Sequence, residues 1–202
     1  MDTDVFLTIE NQSEGFYSEK GSKFYAFANP VSSEEDIKSI QQTLRKKYYD
    51  ARHHVYAFIL GPDKKSYSAS DDGEPSNSSG MPVLGQIRSF DLTDVLIVVV
   101  RYFGGTKLGV PGLINAYRSA AKEALENAKI IEKFVSREVA VNFAYEDMNF
   151  VMKILNDFGA KIVNQTFLEN CNIIFSIRLS EFENLIENLR RNYKIEIILE
   201  NE

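Results

Sequence analysis

The chain has 202 residues, 44% of them apolar, with 14 Phe and 10 Tyr, enough to build real cores. Its net charge of −6 excludes a protein that coats nucleic acid through its overall field. No aliphatic run exceeds Val95 to Val100, far short of the roughly 20 residues of a membrane span, and the start, with Asp2 and Asp4, lacks the basic opening of a secretory signal, so a cytoplasmic protein with no membrane partner is expected.

Val5, Leu7 and Ile9 alternate as in a strand, and Phe24 to Ala28 suggests a second beyond Gly15 and Gly21. After Pro30, Ser32 and Glu35 have capping-box spacing, and Ile37, Ile40, Leu44 and Tyr48 trace a helical face to about Tyr49. His54, Tyr56 and Phe58 then alternate with His53, Val55, Ala57 and Ile59. Both sets are mostly apolar, so this strand belongs inside a sheet. A polar strand over Ser66 to Ser70 leads into a turn-rich segment from Asp71 to Gly80, and Met81 to Phe90 reads as a short helix. The buried strand Val95 to Tyr102 follows. A glycine-rich loop then opens a helix whose face is Leu113, Tyr117, Ala120, Ala121, Ala124, Leu125 and Ala128.

The remainder has its own order. A strand at Val139 to Phe143 precedes a helical stripe from Met148 to Phe158 that stops at Gly159, a C′ glycine. Strands at Lys161 to Leu168 and Cys171 to Leu179 form a hairpin through Asn170, then a helix carries Phe182, Leu185, Ile186, Leu189 and Tyr193, and Ile195 to Leu199 is a last strand. The order βαββαβ is that of a ferredoxin-like domain. The fold class is therefore α+β with two closely joined domains, 1–135 and 136–202. The first carries 16 basic and 18 acidic residues and the second 7 and 11, so a polyanion-binding face has to be local and belongs to the first. Cys171, the only cysteine, alternates with apolar neighbours and reads as buried.

Three clusters in the first domain carry chemistry. The run Arg101-Tyr102-Phe103-Gly104-Gly105-Thr106-Lys107 ends a strand and opens a helix, where free N–H groups, glycines and the Arg101 and Lys107 charges suit an anion. It lacks Walker spacing, and a tight strand-to-helix turn explains the glycines equally well. Asp71, Asp72 and Glu74 are ligand types for a hard cation, yet EF-hand spacing fails, and a turn whose carboxylates cap N–H groups or pair with Arg101 or Arg52 serves as well. Arg52, His53 and His54 open the apolar strand. Neighbours on a strand face opposite sides, so the two imidazoles do not chelate one ion. Ser76, Ser78 and Ser79 lack a nucleophile elbow.

Taken together, Ala51-Arg52-His53-His54, Ser70-Asp71-Asp72-Gly73-Glu74-Pro75-Ser76, Gly80-Met81-Pro82-Val83-Leu84, Arg101-Tyr102-Phe103-Gly104-Gly105, Lys107-Leu108-Gly109 and Ala116-Tyr117 resemble the YigZ/IMPACT family, in its bacterial two-domain branch. The resemblance implies that the first domain has the fold of the second domain of small-subunit ribosomal protein five, shared with domain IV of elongation factor G. It also implies a link to translational control, the role of the eukaryotic branch, with no settled enzymatic activity. Asn77, Pro111 and Asn115 depart from the family pattern of glycine, glycine and a basic residue, leaving the loops less flexible and less basic.

The expected function is a non-enzymatic module that binds RNA or a ribosome-associated partner in translation regulation or stress response. Its binding face would comprise Arg52, His53, His54, Asp71, Asp72, Glu74, Arg101, Gly104, Gly105, Lys107 and Tyr117, with no catalytic residue, resident metal or cofactor. Two alternatives use other partners: an enzyme or sensor for a phosphorylated small molecule with magnesium, and a protein-only adaptor.

Overall fold

The computed structural model describes residues 4–167 and 170–199; the expected strand end at Leu168 and the N-terminal Asp2 lie outside them. By internal packing the chain divides into two units, one of residues 6–133 and one of residues 134–199 joined by Asp4 and Val5.

In the first unit, apart from the end residues Val5 and Phe134, the strands are β1 (Val5–Ile9), β2 (Ser13–Glu19), β3 (Ser22–Pro30), β4 (His53–Leu60), β5 (Ser66–Ser70), β6 (Val95–Tyr102) and β7 (Ile130–Phe134). The helices are α1 (Glu34–Lys47), α2 (Gly80–Ser89) and α3 (Gly109–Glu126). Five strands form an antiparallel sheet in the order β2-β3-β6-β4-β5, and β1 pairs with β7. The centre strand β6 shows why Val95 to Val100 is apolar throughout. Val95, Ile97 and Val99 join the core beneath α2 and α3, with Leu84, Ile87, Tyr117 and Ala120. Leu96, Val98 and Val100 join the opposite core beneath α1, with Ile37 and Leu44. A sheet covered on both faces has no polar side to show.

β2 and β7 are two strands that the sequence pattern does not announce. Gly15, which reads as a break, sits inside β2 because α3 lies against it: a Cβ there would come within 2.3 Å of the Ala124 nitrogen. The cap of α1 also differs from expectation. Ser33, not Ser32, is the N-cap, and Asp36, not Glu35, completes the box; the Asp36 carboxylate accepts from the Ser32 and Ser33 N–H groups and the Ser32 hydroxyl. Those bonds hold the Asp36 carboxyl below its usual range, the Ser32 backbone contributing most.

The second unit runs β8 (Ser136–Phe143), α4 (Met148–Asp157), β9 (Lys161–Phe167), β10 (Cys171–Arg178), α5 (Leu179–Arg190) and β11 (Glu196–Ile198), and its sheet order is β11-β8-β10-β9. One face carries Val139, Val141, Ile173 and Phe175 against Val151, Leu155, Leu185 and Leu189. Cys171 is buried in that core. Gly159 closes α4 at φ 65°, where the Ala160 N–H reaches the Leu155 carbonyl and the Gly159 N–H that of Asn156, a Schellman pair. Tyr193 lies past the end of α5 and is 90% exposed, so it is not part of the helical stripe expected of it. Among the described residues no helix is long and apolar enough to cross a membrane.

Candidate functional site

Strand register places His53, Arg101 and Phe24 side by side on β4, β6 and β3. All three point to the α2/α3 face, because Arg101 continues the row Val95, Ile97, Val99. Arg101 is 7% exposed, and a buried cation needs a partner. It has one. Arg101 Nη1 donates to Glu74 Oε1 at 2.5 Å, and the Tyr117 hydroxyl from α3 donates to the same oxygen at 2.8 Å. The guanidinium also lies over the Phe24 and Phe103 rings, 5.4 and 5.7 Å from their centroids. Burial pushes the Tyr117 hydroxyl far above the usual tyrosine range, and the Glu74 charge adds to this, so Tyr117 remains a donor.

The loop that delivers Glu74 is wound around Asp71. One Asp71 oxygen accepts the N–H groups of Ser79 and Gly80 and the Ser79 hydroxyl, and the other accepts the Asn77 N–H. Burial alone would raise the Asp71 pKa, but these bonds, the Ser79 hydroxyl foremost, hold it below the usual value. The carboxylate thereby caps α2, whose own N-cap side chain makes no capping bond. Asp72, Gly73 and Asn77 have φ of 42°, 85° and 60°, so the loop turns through the left-handed region three times. Asparagine is among the residues best suited to that region, so Asn77 holds its positive φ without being a glycine.

Asp72 faces the other way. Its carboxylate accepts the His54 N–H at 2.6 Å and the Arg45 guanidinium at 2.9 Å. Its carbonyl lies 2.8 Å from His53 Nδ1, which therefore carries the proton in that bond. Burial raises the Asp72 pKa, and the His54 N–H and Arg45 bonds outweigh it to leave it low. His54 is buried on the α1 side of the sheet, where burial first and the Arg45 charge second lower its pKa.

These interactions leave a cleft of about 460 Å³. Arg52, His53, Glu74, Arg101 and Lys107 line it, with Phe103, Leu108 and Val110 as apolar wall. Arg52 and Lys107 are exposed and make no ion pair among the described residues. Phe103, on the same wall, is 57% exposed. It stands at the strand end where cover from α3 has not begun.

Of the residues expected at the binding face, five therefore line one cleft. Asp71, Asp72 and Tyr117 hold its walls from behind, and His54 lies on the other side of the sheet. Gly104 packs backbone to backbone against the β2–β3 turn, where a Cβ would come within 1.9 Å of the Gly21 carbonyl carbon. Gly105, at φ 86°, faces open space. Pro75, Leu108, Gly109, Val110 and Leu113 complete the lining and bring no polar side chain to it. Among the described residues, no three His, Cys, Asp or Glu side chains are placed to hold one metal ion, because Asp71, Asp72 and Glu74 are each committed to a different part of the fold.

The segment that builds this cleft matches the Impact N-terminal domain over residues 20–125. The chain belongs to the YigZ/IMPACT family. It is 29% identical over 187 residues to IMPACT family member YvyE of Bacillus subtilis, covering 93% of this chain and 82% of that one. To IMPACT family member YigZ of Escherichia coli it is 31% identical over 150 residues, 73% of this chain and 74% of the other. A crystal structure of a hypothetical protein superposes over 99% of both chains with a TM-score of 0.77 at 24% identity, which shows the same mixed α/β fold.

Proposed function

We propose that this IMPACT family chain is a non-enzymatic cytoplasmic module that binds RNA through the Arg52–Lys107 cleft, in translation regulation or stress response. One observation carries the reading. Glu74 is neutralised internally by Arg101, so the charges left to solvent at the cleft are those of Arg52 and Lys107, beside the exposed ring of Phe103. Two cations beside a free aromatic face suit a phosphate and a stacked base. The role of the family's eukaryotic branch in translational control is consistent with this. The magnesium-dependent alternative finds less support, since freeing Asp71 or Asp72 would unwind the loop or release Arg45.

We also infer that residues 1–135 have the ribosomal protein five second-domain type and residues 136–202 the ferredoxin-like type; for the latter, the sheet order β11-β8-β10-β9 is the support. The test of function is fluorescence anisotropy with a labelled single-stranded RNA across a salt series. Lys107→Glu and Arg52→Glu each weaken binding, and each lowers the slope of log affinity against log salt by about 0.7, the share of one phosphate on a single strand. Equal affinity of wild type and variants at low salt, or no binding at all, refutes the reading.

A further inference from the structure

A second groove, of about 380 Å³, lies on the opposite side of the sheet from the cleft, between the β2–β3 ladder and the end of α1. Glu14 and Phe16 on β2 stand opposite Phe27 and Tyr25 on β3, so all four side chains leave the sheet on one face. Tyr48, the C-cap of α1, stacks on Tyr25 with planes 15° apart and centroids at 6.5 Å, and lies 5.3 Å from Phe27. Phe16, 45% exposed, is 5.0 Å from Tyr25. Four rings thus wall one opening.

A cation already sits against two of these rings. Lys47 Nζ is 5.2 Å from the Tyr48 centroid and 5.9 Å from that of Phe27, and it makes no ion pair among the described residues. The rim is acidic. Glu14 is exposed and has no ion-pair partner among the described residues, and Glu123 reaches from α3 to accept the Phe16 N–H at 2.6 Å. The carbonyl end of α1 adds partial negative charge at the same place. Asn127 donates to the Glu14 carbonyl at 2.8 Å, so two backbone groups of the edge strand β2 are taken by side chains of α3 and its end. That blocks strand addition and leaves recognition to a side chain.

We propose that this groove binds the guanidinium or ammonium side chain of a basic peptide segment on a partner protein, and that Lys47, whose ammonium lies against two of the same rings, competes with the incoming cation for them. Aromatic faces attract cations, two carboxylates complement them and repel phosphate, and the exposed Phe16 ring covers the aliphatic stem of an Arg or Lys. The opening is at the surface, so a residue still attached to a peptide can enter.

The test is anisotropy of a fluorescein-labelled tetra-arginine peptide against the full chain. Saturable binding is expected. It weakens about five- to tenfold in the double variant Glu14→Gln/Glu123→Gln, where glutamine still accepts the Phe16 N–H, and about threefold in Phe16→Leu. Lys47→Met tightens it about threefold, whereas Lys46→Met, an identical charge change one residue away on the same helix, leaves it unaltered. Lys107→Glu also leaves it unaltered, which separates failure here from failure of the RNA reading. Equal effects of the two lysine variants, or full affinity in the double glutamine variant, overturn the proposal. So does saturation by tetramethylammonium at the concentration that suffices for the peptide, or an oligouridine whose binding is lost in Phe16→Leu.

Discussion

Glu74, Arg101 and Tyr117 come from a loop, a strand and a helix, and the two charged members are buried because they meet. Removing one partner of a buried ion pair strands the other without water. Glu74→Ala should therefore cost about 3–5 kcal/mol. Tyr117→Phe removes one bond to an oxygen that keeps Arg101, and should cost about 2 kcal/mol. Urea unfolding of both variants checks the order, and a smaller loss for Glu74→Ala than for Tyr117→Phe contradicts it. Protonation adds a second expectation. His54 has a lowered pKa in the fold, so the unfolded chain takes up its proton first and stability falls as pH drops from about 6.5 toward the folded value. Asp71 and Asp72 are also lowered, so the stability they contribute is complete above about pH 4 and is lost as pH falls through their folded values. Calorimetry from pH 7.5 to 3 should show melting temperature declining in two stages, and His54→Asn should abolish the upper stage alone. At this scale the sequence was legible in part. The carboxylate-rich turn and the arginine were conspicuous, but which carboxylate meets which cation was not. Asp72 takes Arg45, 27 positions away, and only the folded path of the chain sets that pairing.

Among the elements, the strongly periodic ones followed from side-chain pattern: α3, β4, β6, β8, α4 and β10 all place apolar residues on the faces their periods require. β2 and β7 escaped for a physical reason. Ser13 to Glu19 alternates a serine, a glycine and a tyrosine toward α3, and small residues there permit close helix approach instead of announcing a hydrophobic face. β7 is exposed at four of its five positions, so burial left no imprint on it. Glycines of the signature loop separate in the same way. Gly104→Ala should cost at least about 2–3 kcal/mol, since its methyl group would overlap the Gly21 backbone, and should loosen the loop that carries Lys107. Gly105→Ala meets no neighbour but keeps a φ of 86°, so about 1–2 kcal/mol is expected. Hydrogen exchange at the β2–β3 turn distinguishes them. Faster exchange there in Gly104→Ala, with little change in Gly105→Ala, is the expected result.

Across the whole molecule, the cores are separate. The two that flank the five-stranded sheet share no residue with the one built on Phe175, Ile173 and Leu185. Phe175→Ala should therefore cost about 3–5 kcal/mol in the second unit. Native-state hydrogen exchange should report the loss over residues 134–199 and leave β3, β4 and β6 protected as in the wild type. Loss of protection in all of them would mean that the chain unfolds as one cooperative unit.

Local pattern was enough, by itself, to determine the mixed α/β character, the apolar strand before the glycine loop, the order of elements in the second half and the family. Each depends on periodicity or on a motif contiguous along the chain. Tertiary structure alone decided that Arg101 is a buried structural cation, that Phe103 is an open face and that Arg52 and Lys107 share one cleft. It also joined Glu14, Phe16, Tyr48 and Glu123 around a second groove. The physical reason is the same in each case: desolvation and charge pairing act between residues distant in sequence, and strand register brings those residues together.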